Sequence, residues 1–115
     1  MLNKVNLMGR LVADPELRRT QCGIPVCSFR LAVDRDFLSN GTRETDFFDI
    51  VAWRSTAEFI SKYFSKGRMA VVDGRLQTRS WTDRDGKNRV SVETVAESVY
   101  FGDSRPAAES GRKAA

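Results

Sequence analysis

Five separate stretches of this chain alternate apolar and polar residues with a period of two, and only one follows helical spacing. A chain patterned this way must build its core from half-buried strands. In the first stretch Val5, Leu7 and Leu11 share one side, with Lys4, Asn6 and Arg10 on the other. Asp14-Pro15 breaks it, and Cys22-Gly23-Ile24-Pro25 turns the chain into a second run, where Cys27, Phe29, Leu31 and Val33 alternate with Ser28, Arg30 and Ala32. Asn40-Gly41 predicts a turn into a third strand from Thr45 to Trp53. There Phe47, Asp49, Val51 and Trp53 share one face, and Phe48, Ile50 and Ala52 the other. Both faces carry aromatics, so one belongs to the core and the other needs a ligand, a partner subunit, or both.

Ser55-Thr56-Ala57-Glu58 fits a capping box, and Ala57, Ile60 and Phe64 follow at helical spacing up to Lys66-Gly67, which predicts a helix of about three turns. A fourth strand runs from about Met69 to Trp81, with Val72, Gly74 and Leu76 on one side and Arg75, Gln77, Arg79 and Trp81 on the other. Asp85-Gly86 predicts a two-residue hairpin loop and an antiparallel fifth strand from about Arg89. Val90 and Val92 hold one parity there, while Val95, Val99 and Phe101 hold the other, which predicts a bulge near Glu93 to Val95. Five strands with one helix between the third and fourth is the element order of an all-β OB-fold, a five-stranded Greek-key barrel. Residues 1–103 make this single domain. Residues 104–115 lack apolar periodicity and large side chains, and are expected to form a flexible tail.

Composition narrows the chemistry. The 115 residues include no histidine, and the two cysteines, Cys22 and Cys27, cannot supply four zinc ligands or a base-activated nucleophile. Cys27 instead falls on an apolar parity and reads as a small core residue. Asp83 and Asp85 flank a turn, a place that favours Asp for backbone reasons. No Gly-rich phosphate loop is present. We therefore assign no catalytic residue and expect no enzyme activity, cofactor or metal. The chain shows no signal peptide and no apolar run long enough for a bilayer, and a cytoplasmic location follows as the expectation. The net charge of +4 is modest, with half of it carried by Arg105, Arg112 and Lys113 against Glu109. Any basic surface must come from local arrangement.

That arrangement exists on the third and fourth strands. Phe47, Trp53 and Trp81, with Phe37 in the preceding loop, can act as stacking platforms, while Arg54, Arg75, Arg79, Arg84, Lys87 and Arg89 can follow phosphates. Single-stranded nucleic acid needs both elements and no sequence readout. Trp81 shares its parity with Arg79 and Gln77 and opens a polar hairpin, which assigns it to the ligand. Pattern alone divides Phe47 and Trp53 between ligand and core, and it places Phe29, Phe48, Phe59 and Phe64 in the core.

Several ordered strings carry a closer likeness: Asn3-Lys4-Val5-Asn6-Leu7-Met8-Gly9-Arg10-Leu11, Asp14-Pro15-Glu16-Leu17-Arg18, Lys66-Gly67, and Gly74-Arg75-Leu76-Gln77-Thr78-Arg79-Ser80-Trp81-Thr82-Asp83. Over about residues 3 to 102 the chain resembles the bacterial-type single-stranded DNA-binding proteins. The resemblance implies base stacking at Phe37, Phe47, Trp53 and Trp81, with phenylalanine at the first two positions where tryptophan is familiar. It also implies a role in DNA replication, recombination and repair, association with the nucleoid, and a homotetramer or dimer built through the first strand. Family members commonly end in an acidic tip that recruits replication and repair enzymes. This sequence ends Glu109-Ser110-Gly111-Arg112-Lys113-Ala114-Ala115, so that recruitment is not expected, whether the chain is a short paralogue or a shortened sequence. The competing reading is an OB-fold adaptor of the primosomal type, which would use the same surface for proteins. RNA binding is a lesser variant, because stacking discriminates poorly against a 2′-hydroxyl.

Overall fold

The computed structural model describes residues 1–103, without the side chain of Ser39. Six strands and one helix follow in order: β1 (Val5–Leu11), β2 (Glu16–Arg19), β3 (Pro25–Ser39), β4 (Thr42–Trp53), α1 (Arg54–Tyr63), β5 (Met69–Thr82) and β6 (Asn88–Phe101). β5 pairs antiparallel with both β1 and β6, and β3 pairs antiparallel with β4. β4 meets β6 in parallel at Ile50–Thr94 and Val51–Val95, and β1 returns to β3 at Arg10–Ala32 and Leu11–Leu31. The circuit β1-β5-β6-β4-β3 therefore closes into the expected five-stranded barrel, with α1 between its third and fourth strands. Closure forces backbones together at Gly9 and Gly74, where a Cβ would collide with the carbonyl oxygens of Ala32 and Val95.

The expected parities fill the barrel. Leu11, Cys27, Phe29, Leu31, Ile50, Ala52, Ala70, Val72 and Val99 are buried together, with Ala57 and Ile60 of α1 and Phe64 just beyond it closing one end. Phe48 and Phe59 pack against this core partly buried. Ile60 is fully enclosed, so its truncation to alanine would cost about 2–5 kcal/mol. Beyond the helix, Arg68 lies over Phe101, 5.0 Å from the ring centroid, and its Nη2 reaches Asp103 Oδ1 at 3.2 Å. No helix among the described residues is long and apolar enough to cross a membrane.

Local details depart from the sequence expectations. β2 is an additional strand, a four-residue fully exposed segment that pairs with β3 from Glu16–Ser28 to Arg19–Pro25. The Ser55–Glu58 capping box does not form, because the helix starts at Arg54, whose φ of +59° follows an extended Trp53 at the N-cap. Glu58 turns instead to Arg19, 3.5 Å away. Gly67 does not end the helix either: Phe64 is the C-cap, and Gly67 donates its N–H to Leu11 O at 2.9 Å, tying the loop to β1. The hairpin expected as two residues takes five, Asp83 to Lys87, with the Gly86 N–H bonded to Asp83 O and the Asp83 N–H to Lys87 O, both at 3.0 Å. The bulge falls later than expected: register passes from Asp73–Ser98 to Gly74–Ala96, leaving Glu97 as the extra residue. Thr94, Val95 and Ala96 are all buried, since Val95 joins a separate small cluster with Val26 and Val51 outside the barrel. The tail expected over residues 104–115 lies outside the described residues.

Candidate nucleic-acid interface

Outside the barrel wall, the strands β2, β3, β4, β6 and β5 present one continuous outer face. Val26, Val51 and Val95 cluster beneath it, each less than a tenth exposed, and Val26 and Val51 give it an apolar floor. Around that floor lies a groove of ≈ 450 Å³ whose walls include Arg18, Arg19, Ser28, Trp53, Arg79 and Glu93. A second hollow of ≈ 350 Å³ continues it toward Arg30 and Asp49, sharing Ser28, Val51, Arg79 and Glu93. The groove is open, so it suits a chain passing through it better than a small enclosed molecule.

The parity of β4 places Phe47 on this face with Asp49, Val51 and Trp53. Phe47 is 55 % exposed and Trp53 42 %, against 2 % for Ile50 on the opposite side of the same strand. Rings this exposed belong to the outer face, which resolves the ambiguity that pattern alone leaves. Arg30, cross-strand from Asp49, bonds it through Nε at 3.2 Å and lies with its guanidinium carbon 5.8 Å from the Phe47 centroid. One side of that ring therefore faces a cation.

β5 and β6 continue past the barrel as a hairpin arm, with cross-strand pairs Gln77–Glu93, Arg79–Ser91 and Trp81–Arg89. Arg79 and Glu93 line the groove, so the alternation of the strands puts Trp81 and Arg89 on the same face further out. Trp81 donates from Nε1 to Ser91 Oγ at 2.8 Å, which fixes the ring while leaving it 43 % exposed. Phe37, 66 % exposed, sits on the other arm; it lies in β3 itself, at an irregularity in the β3–β4 register, rather than in a loop.

The cations divide into two groups. Arg54, Arg79, Arg84 and Lys87 have no carboxylate partner among the described residues, which leaves their charges free for an anion. Arg75 reaches Glu97 at 3.8 Å, and Arg89 is held at 2.8 Å by Asp83. Asp83 also accepts the backbone N–H groups of Asp85 at 3.0 Å and Lys87 at 2.9 Å. The Arg89 guanidinium first, and these amides after it, hold the Asp83 carboxyl below its ordinary range. The structure thus gathers Trp53 and Arg79 into one groove, strings Phe47 and Trp81 along the same face, and sets Phe37, Arg84 and Lys87 out along the arms.

Three charged residues of the groove's first section escape the sequence reading. Arg18 and Arg19 belong to the short β2; among the described residues Arg18 bonds only the Ser28 hydroxyl, at 3.2 Å. Glu93 is the third. The signal for the arginines lay in Glu16-Leu17-Arg18-Arg19 directly after the Asp14-Pro15 break, but four residues without alternation do not announce a strand. Among the described residues, no group of three or more metal-ligating side chains comes together.

Comparison with known proteins gives consistent matches. Residues 2–102 match the single-strand binding protein family. The chain is 52 % identical over 102 residues to a single-stranded DNA-binding protein 2 of Listeria monocytogenes, covering 88 % of this chain and 64 % of that protein. It is 50 % identical to a single-stranded DNA-binding protein 1 of Staphylococcus aureus, with 88 % and 65 % covered, and 50 % identical to a single-stranded DNA-binding protein of Halalkalibacterium halodurans, with 88 % and 61 % covered. The chain thus spans a little under two-thirds of these relatives' length.

Proposed function

The chain belongs to the single-strand binding protein family, and from that premise we propose that it binds and protects single-stranded DNA, largely regardless of sequence, during replication, recombination and repair. The observation that carries this reading is the groove in which Trp53 stands beside Arg79, Arg18 and Arg19 over an apolar floor. Bases stack on Trp53, Phe47, Trp81 and Phe37, while the phosphates lie toward the arginines. Arg79, Arg18 and Arg54 follow the backbone near the barrel, and Arg84 and Lys87 meet it at the hairpin tip. Arg75 and Arg89 contribute less, because Glu97 and Asp83 already neutralise them. Binding is the whole activity, carried out in the cytoplasm at the nucleoid, with no catalytic step.

Self-association belongs to the same proposal. β1 pairs with β3 only at Arg10 and Leu11, so Val5 to Met8 offer backbone groups along an open edge. Met8, Leu76 and Tyr100 are exposed large side chains on the strands around it. A second copy pairing along β1 would cover this edge, and a dimer of such pairs gives a homotetramer. The adaptor reading is disfavoured, since four exposed rings, Trp53 in the groove and Phe37, Phe47 and Trp81 on the face and arms around it, together with the free cations suit stacked bases and phosphates.

Fluorescence anisotropy of a dye-labelled mixed-sequence oligonucleotide tests the proposal. Unlabelled single strand should displace the probe and a duplex of the same sequence should not. Equal competition by the duplex, or no binding, would refute it.

A further inference from the structure

Glu93 is a carboxylate in the wall of a groove that the proposed function fills with an anionic polymer, and phosphates cannot be what it meets. It lines both sections of the groove, with Trp53 and Arg79 in the first and with Asp49 and Arg30 in the second. Gln77, its cross-strand partner, donates from Nε2 to Glu93 Oε1 at 3.1 Å, holding the carboxylate in place. Among the described residues Oε2 accepts no hydrogen bond. A fixed carboxylate with a free oxygen is an acceptor available to whatever enters. With this acid and the cations sharing one groove, a strand that keeps its phosphates by the arginines turns bases toward Glu93.

We propose that Glu93 reads base edges, favouring bases that carry an exocyclic amine over thymine. An ionised carboxylate only accepts hydrogen bonds. Cytosine offers its N4 amine, adenine its N6 amine, and guanine N1–H together with N2–H. Thymine offers only N3–H, flanked by two carbonyl oxygens that the carboxylate repels. Stacking on the aromatic side chains remains indifferent to base, so Glu93 imposes a bias on tolerant binding and not a sequence code. Gln77 is the positioning residue, acting through Glu93.

This inference rests on the proposed single-stranded DNA binding, and the test separates the two. Affinities for oligo-dC and oligo-dT are measured for the wild type and for Glu93→Gln, whose amide both donates and accepts and so suits thymine. The intrinsic difference between the polymers cancels in the ratio of ratios. Relative to the wild type, the variant should shift preference from dC toward dT by about three- to tenfold, the range of one net hydrogen bond. An equal change for both polymers, or none, overturns the assignment while leaving DNA binding intact; failure of the wild type to bind either polymer overturns both. A second arm needs no variant: oligomers of 2-pyrimidinone, which is cytosine without its amine, should bind the wild type more weakly than oligo-dC by a similar factor. Equal affinity would overturn the role of the amine even if Glu93→Gln failed to fold.

Discussion

The guanidinium of Arg30 lies over the ring of Phe47, 5.8 Å from its centroid, and Asp49 holds it there through a 3.2 Å ion pair. A cation on one face of the ring leaves the other for a base. Phe47→Ala should weaken single-strand binding by about 1–3 kcal/mol, the range that alanine substitution gives for base stacking across single-strand-binding OB-folds, this family among them. Thermal unfolding should shift little, because the ring is more than half exposed. A loss of folding without loss of affinity per folded molecule would return Phe47 to a structural role.

Arg79 carries a free charge in the groove, whereas Arg35 is bracketed by Asp46 at 3.0 Å and Glu44 at 3.3 Å. Arg79→Ala should therefore flatten the dependence of log affinity on log salt by about 0.7, the contribution of one contacted phosphate on a single strand. Arg35→Ala should leave that slope unchanged. Equal slopes for Arg79→Ala and the wild type would remove Arg79 from the phosphate path.

Acid should loosen the hairpin tip before the barrel. Asp83 titrates below its ordinary 3.8 in the folded chain, chiefly because of Arg89 and then the Lys87 and Asp85 amides. A depressed carboxyl contributes stability that is complete above its unfolded value and fades as pH falls through the folded one. Protection of the Asp85 and Lys87 amides, measured as exchange relative to the intrinsic rate at each pH from 5 downward, should fall below about pH 4, with core amides of Ile50 and Val72 still protected. In Asp83→Asn that acid step should be absent, with protection of these amides already low at pH 5.

The two thiols should behave oppositely. Cys27 is fully enclosed, and burial pushes its thiol up to about 11, while Cys22 is exposed in the turn before β3. Maleimide at pH 7 should add one label per folded chain, found by mass spectrometry at Cys22. A second label should require denaturant. Rapid labelling of Cys27 would contradict the packing of the barrel.

The barrel strands were legible because each buries one face, and period-two alternation is the direct trace of that. β2 left no such trace: none of Glu16 to Arg19 is buried in the core, and the strand is set mainly by its ladder to β3. Its two arginines were therefore missed as groove residues. The helix itself was legible from Ala57, Ile60 and Phe64, but its start depended on the sharp backbone turn at Arg54, which disposed of the Ser55–Glu58 cap. A change of parity in the last strand foretold a bulge, yet Glu97 could not be picked out, because Val95 is buried outside the barrel and mimics an earlier switch. The stacking rings were visible as aromatics out of step with the core. Glu93 was not, since only pairing with Gln77 and closure of the groove give a lone acid its position.

The central claim is that Trp53 and Trp81 lie under stacked bases, and intrinsic tryptophan fluorescence reads it directly, since the sequence contains no other tryptophan. Titration of the protein with oligo-dT should quench the emission strongly and saturably, with duplex DNA of equal length leaving it nearly unchanged. Trp81→Phe should retain binding while the remaining quench reports Trp53 alone. Emission that stays flat while the single strand binds would place the DNA elsewhere on the molecule and contradict the account.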